Sequence, residues 1–313
     1  HYCSLFLEVF MLKGKKLTSA STIGIIAPAS PENKDKIDKK LCEFKELGFK
    51  IKLAPHLYNK YGHLAGFDSD RIKDLHDMFS IDGIVCLRGG YGTARLISSL
   101  DKKIILQNPK FFCGYSDITL LLNYFANLGL ITFHGPMITS GFTDELTKKY
   151  FLKTSICNTK NFSYDLLDLN PNISTYNLSS FKGKLVGGNL SIICSSLSTK
   201  YEINTKDSIL LIEEVNEAPY CIDRMLTHLI NSGKLHDCNG IIIGHLTDCT
   251  LPNYDRSLTT EEVILNRLLP LNIPLIIGMP FGHSCPNITI PIGAPAYFNN
   301  KIMKLTIKDN FLL

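Results

Sequence analysis

Residues 22–27 form an apolar run that stops at Pro28, and residues 34–47 follow with Ile37, Leu41, Phe44 and Leu47 on one stripe before Gly48. The first pattern predicts a strand, the second an amphipathic helix closed by glycine. The alternation continues with a strand at 49–53, a loop rich in His, Tyr and Gly at 55–66, and a helix from Asp68 or Ser69 to Phe79. A fully apolar strand at 84–87 leads into Arg88-Gly89-Gly90-Tyr91-Gly92 and a helix carrying Ala94, Leu96 and Ile97. Another strand at 111–113 runs into Gly114-Tyr115-Ser116-Asp117 and a helix at 118–128. Continuous apolar strands between amphipathic helices predict an α/β domain whose parallel sheet, Rossmann- or flavodoxin-like, is covered on both faces.

The pattern breaks at 158–180, a polar, Asn-rich stretch with Pro171 that reads as a linker. A second α/β domain follows, with strands at 183–186, 209–212, 241–243 and 275–277 and a helix at 222–230 ending before Gly233. Its end is β-rich and barrel-like: segments 289–292, 296–298 and 303–307 predict an antiparallel meander with Asn299-Asn300 as a turn. The predicted domains are therefore 13–157 and 181–313, with 1–12 an upstream segment in which Met11 is a candidate start.

Composition narrows the class. The 313 residues suffice for two cores, and a net charge of +4 is too mild for a nucleic-acid partner. No apolar run reaches the roughly 18 residues a membrane helix needs. The apolar stretch 5–12 contains Glu8 and precedes Lys13, Lys15 and Lys16, a charge order opposite to that of a secretory signal. The ten cysteines stand singly with no C-x-x-C pair, which argues against a disulfide framework or zinc knuckle and for a reducing, cytoplasmic setting.

Ser116 carries the strongest chemical signal. It stands where an apolar strand gives way to a helix, at the sheet edge where open α/β folds place ligands. The following helix start offers unpaired N–H groups to a developing oxyanion. The nucleophile-elbow pattern G-x-S-x-G is half met, with Ile118 at the second glycine position. Helix capping by Ser116 or Asp117 is the competing reading. The loop at Arg88-Gly89-Gly90-Tyr91-Gly92 suits either an anion cradle or a tight turn, and Gly187-Gly188-Asn189 reads as a turn. A serine nucleophile needs a base, for which His283, His134 and His245 all stand at strand ends or in loops. It also needs an orienting carboxylate. Glu213 and Glu214 end an apolar strand and point to opposite faces, while Glu217 and Asp223 read as solvated or capping residues.

In order and spacing, these segments resemble the LD-carboxypeptidase family of serine peptidases, which includes the microcin-immunity peptidases. The matching pieces are Ile25-Ile26-Ala27-Pro28-Ala29-Ser30, the loop from Arg88, Gly114-Tyr115-Ser116-Asp117, His134-Gly135-Pro136-Met137 and Gly187-Gly188-Asn189-Leu190. They continue through Leu211-Ile212-Glu213-Glu214, Tyr220-Cys221-Ile222-Asp223-Arg224-Met225-Leu226 and Phe281-Gly282-His283. The resemblance implies a Ser116–His283–Glu213 triad and an oxyanion hole of backbone N–H groups from Gly89, Gly90 and Asp117. Arg88, Tyr91 and Arg224 become substrate-binding candidates. The chain departs from the family at Glu214, where relatives often carry Asp. The implied enzyme is a cytoplasmic homodimer, without metal or cofactor, that removes the terminal D-Ala from murein tetrapeptide during cell-wall recycling. A peptidase acting on a peptide–nucleotide antibiotic and a non-catalytic small-molecule binding module are the alternatives.

Overall fold

The computed structural model describes residues 11–156, 160–252 and 255–313. In chain order the strands are β1 (Thr22–Ile26), β2 (Lys50–Leu53), β3 (Gly83–Cys86), β4 (Phe111–Gly114), β5 (Thr132–His134), β6 (Phe162–Asp165) and β7 (Ser174–Tyr176). They continue with β8 (Phe181–Asn189), β9 (Ser208–Val215), β10 (Cys238–Thr247), β11 (Leu275–Ile277), β12 (Ile290–Ile292), β13 (Pro295–Asn299) and β14 (Lys304–Ile307). The first sheet runs β12-β5-β4-β3-β1-β2, with its five N-terminal strands parallel. Its order, 2-1-3-4-5 plus an added edge, is flavodoxin-like, as the alternation predicts. Helix Lys34–Lys45 buries Ile37, Leu41 and Phe44, three residues of the predicted stripe. Helix Asp68–Met78 begins without a side-chain cap, so neither Asp68 nor Ser69 plays that part; Asp68 instead pairs with Arg71 and Arg95.

The second sheet runs β6-β14-β13-β8-β9-β10-β11-β7. Its centre, β8 to β11, is parallel; β13, β14, β6 and β7 add antiparallel flanks. The polar stretch read as a linker supplies two of these strands, β6 and β7, both at sheet edges, where polar, Asn-rich sequence is tolerated. The start of the chain read as upstream lies outside the described residues up to residue 10, while Leu12 bridges to Leu130.

The predicted terminal meander needs correction. β13 and β14 form a hairpin, but β12 leaves them and pairs antiparallel with β5 on the edge of the first sheet. Pro291 lacks an N–H, which an edge strand tolerates and a central one does not. Gly293, at φ 89°, turns the chain back towards the second sheet. One apolar core consequently runs through both domains, from Ile25 and Phe112 to Leu211, Phe281 and Ile290. A second core, with Leu210, Ile212, Leu226 and Ile243, fills the outer face of the second sheet.

Candidate active site

β4 ends at Gly114, and a short 3₁₀ turn, Ser116–Ile118, leads into helix Thr119–Asn127. Ser116 holds φ at 62°, a left-handed conformation that costs a non-glycine residue about 1–2 kcal/mol. Strain of this kind is characteristic of functional turns. Gly114 is needed for packing: a Cβ there would lie 2.9 Å from the Ile118 side chain, so the residue at the second elbow position closes the helix onto the strand. Gly89 backs onto the serine in the same way. An added Cβ would sit 2.8 Å from Ser116 Oγ and 3.3 Å from the Asp117 nitrogen.

Asp117, expected as a helix cap or an oxyanion N–H, is also a brace. Its buried carboxylate accepts the Thr93 N–H at 2.9 Å, and its carbonyl accepts the Thr93 hydroxyl at 2.8 Å. Burial pushes this carboxyl above its ordinary value, and the Thr93 bonds oppose that shift. The glycine-rich loop is thereby tied to the serine turn at its far end. At its near end the Gly89 carbonyl accepts the Ser30 N–H at 3.3 Å, and further along Ser30 Oγ accepts the Tyr91 N–H at 3.1 Å.

Glu213 and His283 come together from β9 and the loop after β11. The imidazole Nδ1 lies 2.6 Å from Glu213 Oε2. Glu213 is fully buried; burial drives its carboxyl up from the ordinary value, and the His283 hydrogen bond pulls the other way. Gly282 (φ 115°) lets the loop cross the carboxylate, since a Cβ there would lie 2.8 Å from Oε2. Asn287 Oδ1 accepts the Gly282 N–H, and His245 Nε2 meets the Pro286 carbonyl at 2.8 Å. His245 therefore holds the loop that carries His283. The His283 ring packs edge-on against Tyr115, the neighbour of Ser116, with centroids 4.8 Å apart. Among the described residues no hydrogen bond joins Ser116 Oγ to His283.

The two glutamates do face opposite ways, but both are buried. Glu214 accepts from Asn189 Nδ2 at 2.8 Å, from the Ser191 N–H at 2.7 Å and from the Val215 N–H at 2.9 Å, and so caps helix Leu190–Ser196. Both of its oxygens are engaged in structural bonds. His134 is fully buried, with neither ring nitrogen hydrogen-bonded; burial lowers it to about 3. A base needs access to a proton, and His134 has none.

Arg88 donates to the Pro31 carbonyl and to Glu32, each at 3.1 Å, and stays half-exposed. Tyr91 is exposed beside His63. Arg224 is exposed, and its guanidinium meets Cys221 Sγ at 3.6 Å. Among the described residues no group of three or more His, Cys, Asp and Glu side chains is placed to hold a metal ion.

A hydroxyl on a strained strand-to-helix turn, an imidazole locked to a buried carboxylate, and a glycine loop behind the hydroxyl are the kinds of group a serine hydrolase uses. Residues 23–135 match the LD-carboxypeptidase N-terminal domain and residues 182–298 its C-terminal domain. The chain belongs to the LD-carboxypeptidase family of serine peptidases. It is 40% identical to a probable murein peptide carboxypeptidase of Bacillus subtilis, over 92% of this chain and 91% of that one. It superposes on a muramoyltetrapeptide carboxypeptidase from Oxalobacter formigenes with a TM-score of 0.82 and 27% identity, covering 93% and 99% of the two chains. The fold also matches the microcin C7 self-immunity protein MccF in complex with glutamyl sulfamoyl guanosine: TM-score 0.87, 23% identity, 96% and 100% covered.

Proposed function

We propose that this enzyme removes the terminal D-alanine from murein tetrapeptide by acyl-enzyme chemistry on Ser116. The observation that carries the reading is the His283–Glu213 pair, 2.6 Å apart, packed through Tyr115 against the strained Ser116 turn. His283 takes the Ser116 proton as the hydroxyl oxygen attacks the carbonyl next to D-alanine, then returns it to the leaving amine. Glu213 fixes the imidazole orientation and stabilises its cation. Water repeats the attack on the acyl-enzyme, with His283 again the base, and frees the tripeptide. Backbone N–H groups of Gly89, Gly90 and Asp117 would receive the oxyanion, each such donor being worth about 2.7–4 kcal/mol of barrier. Arg88, Tyr91 and Arg224 are assigned to the substrate, the two guanidinium groups to its carboxylates. On the family's pattern the enzyme acts as a cytoplasmic homodimer in cell-wall recycling.

The test is incubation with murein tetrapeptide followed by mass spectrometry. The expected result is loss of one alanine by the wild-type enzyme and none by Ser116→Ala. Cleavage of an aminoacyl sulfamoyl nucleotide with no action on the tetrapeptide would move the assignment to the immunity-type reaction.

A further inference from the structure

The loop Arg88-Gly89-Gly90-Tyr91-Gly92 is rich in glycine, so its own backbone does little to fix its shape. What holds it comes from the interior. Arg71, in the first turn of helix Asp68–Met78, is 2% exposed, and its guanidinium reaches the end of the loop. Its Nη1 donates to two carbonyls at once, that of Pro28 after β1 at 2.5 Å and that of Gly92 at 3.2 Å. Its Nη2 donates to Asp68, whose carboxylate also binds Arg95. An added Cβ at Gly92 would lie 2.5 Å from Nη1, so a glycine there lets the guanidinium close on the backbone.

This clamp touches both parts of the proposed oxyanion hole. Arg71 holds the Gly92 carbonyl, and the Asp117 carboxylate holds the next N–H, that of Thr93, at 2.9 Å. Asp117 is to give one backbone N–H to the oxyanion; Gly89 and Gly90, just before the clamped residue, are to give the others. Burial raises the Asp117 carboxyl, the Thr93 bonds oppose the rise, and the Arg71 charge does so as well. The turn after β1 anchors both ends of the loop, since Pro28 shares Nη1 with Gly92 and the Ser30 N–H donates to the Gly89 carbonyl. A buried guanidinium is costly to desolvate. Pairing with Asp68 does not require that burial, because Arg95 makes the same pair from an exposed position. What burial adds is the two carbonyl bonds. A planar fork serves those carbonyls and a carboxylate together, and a lysine ammonium lacks that fixed geometry.

We propose that Arg71 is a positioning residue for the reaction, setting the spacing between the glycine loop and the Ser116 turn so that their N–H groups converge on the oxyanion. This inference rests on the acyl-enzyme reading of Ser116. Donors that act on the tetrahedral state alone raise kcat and leave KM in place. Arg71→Lys is therefore expected to lower kcat for D-alanine release about tenfold and Arg71→Met about 10²-fold, with KM within about twofold of wild type. Arg95→Met, which takes one partner from Asp68 and leaves the carbonyls clamped, should keep the wild-type kcat. A second measurement separates position from folding: inhibition by a tripeptide boronic acid with boron in place of the scissile carbonyl carbon. Ser116 Oγ bonds to boron as its proton passes to His283, and a boron hydroxyl takes the oxyanion position. Partial unfolding lowers the amount of active enzyme but leaves the Ki of the remainder unchanged, whereas a misplaced hole raises Ki in step with the loss of kcat. Wild-type kcat in both Arg71 variants, a loss expressed in KM alone, or an unchanged boronate Ki in variants that have lost kcat overturns the positioning role and leaves the acyl-enzyme reading standing. A wild-type enzyme that the boronate does not inhibit, or a Ser116→Ala enzyme that still releases D-alanine, overturns the acyl-enzyme reading and the role of Arg71 with it.

Discussion

Replacing Gly89 by alanine should separate catalysis from stability. The new Cβ would lie 2.7 Å from Ser116 Cβ and 2.8 Å from Oγ. Carbon atoms in ordinary contact are about 3.5–4.0 Å apart, so something must yield by about 0.8 Å. Gly89 is buried and the shortest contact is with Ser116 Cβ, which moves only with its backbone, so the Ser116 turn must shift and carry the hydroxyl with it. Displacement of a reacting atom by about 1 Å costs about 10²-fold in rate. Gly89→Ala should therefore lower kcat/KM for D-alanine release about 10²-fold, with a smaller loss of Tm than a substitution that also strains the backbone. Gly90→Ala provides the contrast. Its Cβ would lie 2.4 Å from Ser30 Oγ, and its φ of 109° is strained for any L side chain, a cost of about 1–3 kcal/mol. That variant should lose a few degrees of Tm. Thermal unfolding and steady-state kinetics on the two proteins distinguish the cases. Wild-type kcat/KM in a folded Gly89→Ala enzyme would refute the placement of the Ser116 hydroxyl at the reacting centre.

Ser116→Ala, His283→Ala and Glu213→Gln are each expected to lower kcat roughly 10³-fold or more while leaving the circular dichroism spectrum unchanged, Glu213→Gln the least. Glu214→Gln should do the reverse, lowering unfolding free energy by about 1.5–3 kcal/mol through weakened charge-assisted bonds, seen as an earlier urea midpoint, with a smaller effect on kcat. His134 titrates near 6.5 when unfolded and at about 3 when folded, so between those values only the unfolded chain takes up its proton and stability rises with pH. At pH 5 this removes about 2 kcal/mol relative to pH 7.5, at about 1.36 kcal/mol per unit over about 1.5 units. Urea titrations of wild type and His134→Phe at both pH values should differ by that amount. Activity should survive dialysis against EDTA, measured as D-alanine release, because none of the proposed steps uses a metal ion.

Much of this arrangement is legible in the sequence because local chemistry dictates it. Apolar runs predicted the parallel strands, and the adjacent glutamates had to diverge on a strand, whereas Gly89, read as part of an anion cradle or a tight turn, proves to be needed for close packing against Ser116. What stayed illegible depends on partners distant along the chain. Nothing in the text around Ile290 says that it will pair with His134, 156 positions earlier, rather than extend the hairpin that follows it. Asp117 bracing Thr93, and Glu214 capping the helix after Asn189, look like ordinary acidic residues until the fold buries them. Tyr115 gave no signal of its own, since an aromatic before a serine turn is more often core than the packing partner of an imidazole.

The crossing of β12 also bears on how a site split between two sheets keeps its geometry. Ser116 belongs to the first sheet, Glu213 and His283 to the second, so the site would drift apart if the domains moved independently. The chain prevents this close to the site: seven residues after His283 it enters β12 and pairs with β5, the strand beside β4 that leads to Ser116. Asn123, on the helix that follows Ser116, donates to the Gly187 carbonyl and accepts the Gly187 N–H, both at 2.9 Å. Thr119, one turn earlier, accepts the Asn189 N–H at 3.1 Å, and Asn189 lies in register with Glu213. These buried bonds run from the serine helix to the strand beside the glutamate, and β12 runs from the histidine loop to the serine sheet. The serine, the glutamate and the histidine are thus closed into one covalent and hydrogen-bonded circuit within a single chain. The registration of the two sheets at these positions is built into the chain itself.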